Sequence, residues 1–429
     1  MRMLRISIVL LALVTLAASA SADHKLVREP QPGDPMPVYI YQLDNGLTVN
    51  ITENHEQPRF YSEIAVRVGS KDDPSETTGL AHYFEHIMFK GSQRLGTLDY
   101  AAEKVHLDRI ADLYEQRFHE TDEAKRADLY KQIDAEAQAA AAYAVPNELD
   151  RVYNAMGATD LNAHTSVEET VYQVDLPKNR LRQWAAIESD RFEHPVFRLF
   201  PTELETVYEE KNRSMDNKQR LIYEEVGKLL FKKHPYGQET VLGRPEHLKN
   251  PSINNITHFF QEWYVPKDMA ISISGDVNHD EVISVVDEYF GGMADVAPPQ
   301  QKQWAEEPLN GREHVEVNYE AEPFVLLAFR TAPNLDEDAE ALKLIDMILD
   351  NATAGLINLN LNQAQLVRNA GAHPMVMNDY GVECLYGVPK DGQTLDEVEK
   401  LLLDQIAIVK RGEFEDWVLP AIVNDFKKN

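Results

Sequence analysis

The sequence predicts an α+β fold: tandem repeats of an antiparallel β-sheet packed with helices on one side, with a helical-hairpin insertion in the first repeat. Three observations lead there. Strand-like and helix-like segments alternate along the chain without a phosphate-binding glycine-rich turn, which favours helices packed on a mostly antiparallel sheet. The strand, loop and helix order of FYSEIAVRVGSKDDPSETTGLAHYFEHIMFKG, residues 60–91, recurs in FVLLAFRTAPNLDEDAEALKLIDMILDN, residues 324–351. Between about 98 and 145 the chain becomes rich in Ala, Glu, Lys and Asp with heptad-like spacing and breaks at HETDEAKR, the pattern of two helices folded back on each other.

In chain order, the first 22 residues carry Arg2 and Arg5, the apolar run ISIVLLALVTLAA, and then small Ala20, Ser21 and Ala22. That is the pattern of a signal peptide cleaved before Asp23. The apolar run falls short of the roughly 20 residues that cross a bilayer, and no cysteine follows it for lipidation, so no stable membrane anchor is expected after cleavage. The expected location is the bacterial periplasm. A Pro-rich extension, 23–36, leads into VYIYQLDNGLTVNITE, where alternating residues flank Asp44, Asn45 and Gly46 as in a β-hairpin. The strand FYSEIAVRVGS follows. GLAHYFEHIMFKGS, 79–92, then reads as a helix, with Leu80, Phe84, Ile87 and Met88 on helical spacing and Gly91 at its C-terminal cap.

After the helical arm, DLNAHTSVEETVYQVDLP reads as strands, 179–192 and 202–232 as helices, and MAISISGDV as a buried strand followed by an amphipathic helix to Phe290. Residues 37–290 thus form a first unit. The Pro-, Gln- and Gly-rich segment 291–312 reads as a linker, and 313–429 as a second, shorter copy. Its shortness favours a fragment of a longer protein.

The 429 residues, 43% hydrophobic, suffice for two or three domains with buried cores. Asp plus Glu number 71 against 42 Lys plus Arg, and the formal charge of −29 repels a nucleic-acid backbone over most of the surface. The lone Cys384 excludes an intrachain disulfide and metal binding through paired cysteines.

His82 and His86, four apart on a helix, share a face and can bind one metal ion. Glu85 stands at the edge of that face, where a carboxylate can act as a general base on a metal-bound water. Buried histidines on an apolar helix are also common as core residues with a backbone partner. A hydrolytic zinc site needs a third protein ligand, and its best source is FPTELETVYEEKNRSMDN, 200–217. Acidic residues in the first turns of a helix are favoured by the macrodipole alone. Glu203 and Glu210, however, lie seven apart and share one face with Val207 near it, so one can bind a metal while the other sits behind it.

H-x-x-E-H followed at a distance by E-x-x-x-x-x-x-E resembles the M16 metallopeptidases, the inverzincins, which include pitrilysin, insulin-degrading enzyme and mitochondrial processing peptidase. GLAHYFEHIMFKGS, LNAHTSVEETVYQ, ELETVYEEKNRSMDN and YVPKDMAISISGDV carry the likeness over most of residues 37–290. It implies His82, His86 and Glu210 as ligands of one Zn2+ per catalytic domain, Glu85 as catalytic base and Glu203 as a supporting catalytic carboxylate. It also places Asn162 and Ala163 on an edge strand that pairs with an extended peptide substrate. Subtracting the inserted arm restores a family-like gap between His86 and Glu210. Glu209, the rival ligand, points about 100° away on the helix. The arginine and tyrosine that the family's second half supplies to substrate have no identifiable match here.

The implied function is a secreted zinc metalloendopeptidase acting on unfolded peptides, with a second M16-like half in the same longer chain or as a separate subunit. The alternatives are a catalytically incomplete half that serves as a structural or peptide-binding subunit, and a periplasmic zinc carrier, which has no need of Glu85. In the second copy Lys343, Asp346 and Met347 stand where the first has His82, Glu85 and His86. That unit is therefore expected to be non-catalytic and incomplete.

Overall fold

The computed structural model describes residues 24–351 and 353–427. The expected signal peptide lies outside them. Seven strands form the first sheet: β1 His24–Arg28, β2 Tyr39–Leu43, β3 Thr48–Glu53, β4 Arg59–Val66, β5 Thr159–Thr165, β6 Thr170–Pro177 and β7 Met269–Gly275. Their order is β1-β2-β3-β7-β4-β6-β5. β3 and β4 run in opposite directions, so β7, inserted between them, is parallel to β3 and antiparallel to β4. The other pairs are antiparallel, as the alternating sequences predict. In β4 Phe60, Ser62, Ile64 and Val66 turn inward while their neighbours stay partly exposed.

The helices of this unit are α1 Leu80–Met88, α2 Tyr100–His119, α3 Glu123–Ala141, α4 Glu148–Met156, α5 Leu181–Glu193, α6 Phe200–Ser214 and α7 Lys218–Leu230. Two one-turn helices follow, Pro235–Gln238 and Pro245–Leu248, and two longer ones, Ile253–Trp263 and His279–Phe290, flank β7 in sequence. α4 and Ile253–Trp263 were not anticipated. The single helix expected over 202–232 is instead two, because the Asn217 side chain accepts from the Arg220 N–H and starts a new helix there. α1 stops at Met88 with Phe89 as its cap, short of Gly91. Gly91 serves the following turn: it sits at φ +94°, and a Cβ there would lie 2.2 Å from the Leu95 carbonyl oxygen.

The helical arm is α2 and α3, each begun by an aspartate, Asp99 and Asp122, whose side chain accepts a backbone N–H. Ile110, Leu113, Tyr114 and Ile133 join it to the main core. Ser252 donates to Glu115, and Arg117 donates to the Lys249 carbonyl, so the arm is clamped rather than free.

Among the described residues no helix or strand lies between Phe290 and Val325. A second sheet follows, with β8 Val325–Thr331, β9 Asn369–Met375 and β10 Gly381–Val388 in the antiparallel order β8-β10-β9. It docks on the end of α7 through Leu230, Phe231, Val382 and Cys384. Polar contacts reinforce the junction: Lys71 bridges Glu168 and Asp379, and the fully buried His234 reaches the same aspartate. No described helix is long and apolar enough to cross a membrane.

In this second unit Asp346, on the helix Ala339–Leu349, faces Glu383 of β10. Asp346 Oδ1 and Glu383 Oε1 are buried with no recorded partner among the described residues, an arrangement that a proton shared between the two carboxyls would satisfy. Burial, with Asp346 beside it, pushes Glu383 up to about 8, and burial pushes Asp346 up to about 6. Raised carboxyl pKa values stabilise the fold most below the ordinary carboxyl range, and that contribution is lost as pH climbs through 6 and then 8. The thermal midpoint is expected to fall by roughly 5 °C between pH 5 and pH 9, a figure discounted for partial exposure of the pair. Glu383→Gln should flatten that slope in a calorimetric pH series; an unchanged slope would refute the shared proton.

Candidate active site and metal centre

α1 is held at both its beginning and its flank. Gly79, at φ +89°, turns the chain into the helix, and the Asp73 carboxylate accepts from the Gly79 N–H at 2.6 Å and the Ala81 N–H at 3.0 Å. Tyr83 donates to the Phe200 carbonyl at 2.8 Å and meets the Phe200 ring edge to face, which fixes α1 against α6. Leu80, Phe84, Ile87 and Met88 are buried, so the helix cannot rotate without exposing its apolar face. Asp73→Ala removes both N-terminal hydrogen bonds. It is expected to cost about 2 kcal/mol in urea unfolding and to weaken zinc binding; wild-type stability would show that the cap is dispensable.

This scaffold brings His82, His86 and Glu210 together, with their ligand atoms all within 4.8 Å of one another. Glu210 Oε2 is 3.6 Å from His82 Nε2 and 3.5 Å from His86 Nε2. Donors about 2.0–2.1 Å from a tetrahedral zinc ion sit roughly 3.4 Å apart, so two imidazoles and a carboxylate at these separations fit that ion. Burial, helped by His86 and Arg220, pushes His82 down to about 3, which keeps its imidazole neutral and its lone pair available. Its Nδ1 is buried without a hydrogen-bond partner among the described residues. For His86 burial opposes protonation, but Glu203, Glu210 and Glu85 outweigh it and hold the ring above its usual range.

Glu85 precedes His86 on the same helix and interacts electrostatically with both His86 and Glu210. It is buried, and that burial raises its pKa despite the hydrogen bond it accepts from Thr165. A carboxyl held above its ordinary range is a stronger base than a free one and is suited to taking and returning a proton. Glu203 stands behind His86, its Oε2 3.7 Å from Nδ1, while its Oε1 forms an ion pair with Lys90 at 2.7 Å. Burial disfavours its charge, but His86 and Lys90 prevail and hold it below the usual carboxyl range. Glu209 is exposed and lies outside the cluster.

Asn162 and Ala163 lie on β5, the outer strand of the sheet, opposite Gln173 and Tyr172 of β6. The far edge of β5 is unpaired among the described strands. Thr165 and Lys90 are the site contacts that reading the sequence missed. Thr165 had a signal: two residues past Ala163, it shares that residue's face of the strand. Lys90 had none, because its partner is 113 positions away in the chain.

The sequence profile described as insulinase (peptidase family M16) matches residues 48–110 and 137–243, and that described as peptidase M16 inactive domain matches 252–425. The segment 111–136, the distal part of the arm, is unmatched by the first. The mitochondrial-processing peptidase subunit beta of Dictyostelium discoideum is 23% identical over 342 residues, covering 76% of this chain and 61% of that protein. The zinc protease PqqL of Escherichia coli is 23% identical over 315 residues, 71% of this chain but only 28% of its own length. The chain therefore spans less than two thirds of either relative. A protease from Helicobacter pylori superposes with a TM-score of 0.72 at 18% identity, over 94% of this chain and 85% of that one. The periplasmic protease PqqL does so with 0.67 at 18%, over 92% of this chain and 39% of that one. With one profile of the family spanning His82, His86 and Glu210 and a second covering 252–425, the chain belongs to the M16 peptidase family.

Proposed function

We propose that this chain is the catalytic half of a secreted zinc metalloendopeptidase that hydrolyses unfolded peptides. The observation that carries the reading is a buried Glu85, oriented by Thr165, beside a three-donor cluster that fits zinc. Zinc, when bound, would acidify a water and polarise the scissile carbonyl. His82, His86 and Glu210 hold it, and Glu203 supports His86 from behind. Glu85 takes a proton from the attacking water and delivers it to the leaving amine. Asn162 and Ala163, on the open edge of β5, would hold the substrate backbone as an added strand.

On this reading residues 37–290 carry the chemistry, 291–312 link, and 313–429 form a non-catalytic second unit. The charged amino-terminal segment and the likeness to a periplasmic protease support export to the periplasm. The partial coverage of longer relatives supports a second, facing half, covalently attached or separate. The same observation favours one other reading, a half that binds zinc and peptide but turns nothing over by itself.

The test is cleavage of an unstructured fluorogenic peptide by the metal-loaded chain. Chelation should reduce cleavage about 100-fold or more, and stoichiometric Zn2+ should restore it. Zinc bound without turnover would favour the incomplete half, and turnover indifferent to chelation would exclude the zinc mechanism.

A further inference from the structure

Two residues past the end of α1, the side chain of Lys90 reaches back toward the metal centre. Its Nζ lies 2.7 Å from Glu203 Oε1, and the other oxygen of that carboxylate faces His86 Nδ1 at 3.7 Å. The Lys90 side chain is 18% exposed and that of Glu203 11%, so this ion pair is largely shielded from bulk water and salt.

The backbone of Lys90 is anchored independently. Its N–H donates to the Ile87 carbonyl, and its own carbonyl accepts from Arg198 Nη1 at 2.7 Å. Arg198 is itself saturated: it makes a double contact with the fully buried Glu103 and donates to the carbonyls of Ser92 and Leu95 as well. Gly96, at φ +89°, lets the loop close on this guanidinium, since a Cβ there would fall 2.6 Å from the Lys90 carbonyl oxygen. With its backbone pinned, Lys90 has only its side chain free, and the structure pairs that side chain with Glu203.

We propose that Lys90 is a positioning residue of the metal centre: it anchors the Glu203 carboxylate, which in turn aims the His86 ring at the bound ion. The inference rests on the zinc-peptidase reading above. Metal-ligating histidines are oriented by the carboxylate that takes their second nitrogen, and loss of such support weakens metal binding by roughly 10- to 100-fold. A carboxylate with one oxygen released can rotate about its last torsion, and the histidine loses its guide. Lys90 and His86 face different oxygens of the Glu203 carboxylate, so the lysine meets the histidine's partner without taking the oxygen that faces the ring.

The experiment measures the Zn2+ dissociation constant of the full chain against a chromophoric chelator, together with the thermal midpoint of the metal-free protein. Lys90→Met should bind Zn2+ roughly 10- to 100-fold more weakly with the metal-free midpoint unchanged. Lys90→Arg, which keeps the charge and a donor, should recover most of the affinity. Wild-type affinity in Lys90→Met overturns the proposal, as does a loss matched by metal-free destabilisation, or an arginine variant as weak as the methionine one. A wild-type chain that binds no Zn2+ defeats the zinc-peptidase reading itself, and this inference with it.

Discussion

Glu85→Gln is expected to keep zinc affinity while peptide hydrolysis falls by about 10²- to 10⁴-fold. The amide is close in shape to the carboxylate and can still accept from Thr165, so the buried position next to the metal cluster remains filled. What it loses is basicity. Burial has raised the Glu85 carboxyl above its usual range, and the substitution turns a group that can take and return a proton into one that can do neither. The comparison that matters is turnover per bound zinc, with metal content measured on the same preparation. A variant with full zinc and near wild-type turnover would remove Glu85 from the mechanism and leave the three ligands without a base.

Arg198→Ala should be among the most destabilising single changes in the chain, about 3–5 kcal/mol in urea unfolding. The Glu103 side chain it neutralises is fully buried, and its other contacts are the carbonyls of Lys90, Ser92 and Leu95. Removing the guanidinium strands the Glu103 carboxylate and takes a donor from three carbonyls, of which that of Leu95 keeps the Ser92 N–H. Glu103→Leu combined with Arg198→Met replaces both charges by apolar groups and should cost much less than the sum of the two single changes. Simple additivity in that double-mutant cycle would show that the pair is not coupled and would overturn the assignment of stability to it.

How much of this was legible beforehand depends on the range of the interaction. The hairpin around Asn45–Gly46, α1 and the α2–α3 arm follow from periodicity and turn chemistry within a few residues, and all appear. The break in the 202–232 helix was also local, at Asn217, but its cap signal was outweighed by the helical pattern on either side. The parallel β3–β7 pair could not be read, because its partners are separated by more than 200 residues.

The site divides in the same way. Sequence alone set His82, Glu85 and His86 on one helix and Glu203 and Glu210 on another, because a fixed helical pitch converts spacing into direction. It also supplied the contrast with Lys343, Asp346 and Met347 in the second copy. Only the tertiary structure decided that the two helices face each other closely enough to form a three-donor cluster, that Glu209 turns away, and that Thr165 and Lys90 hold Glu85 and Glu203. The reason is physical: spacing along one helix fixes angles about its own axis, whereas the distance between two helices is set by how Tyr83, Phe200 and the surrounding core pack.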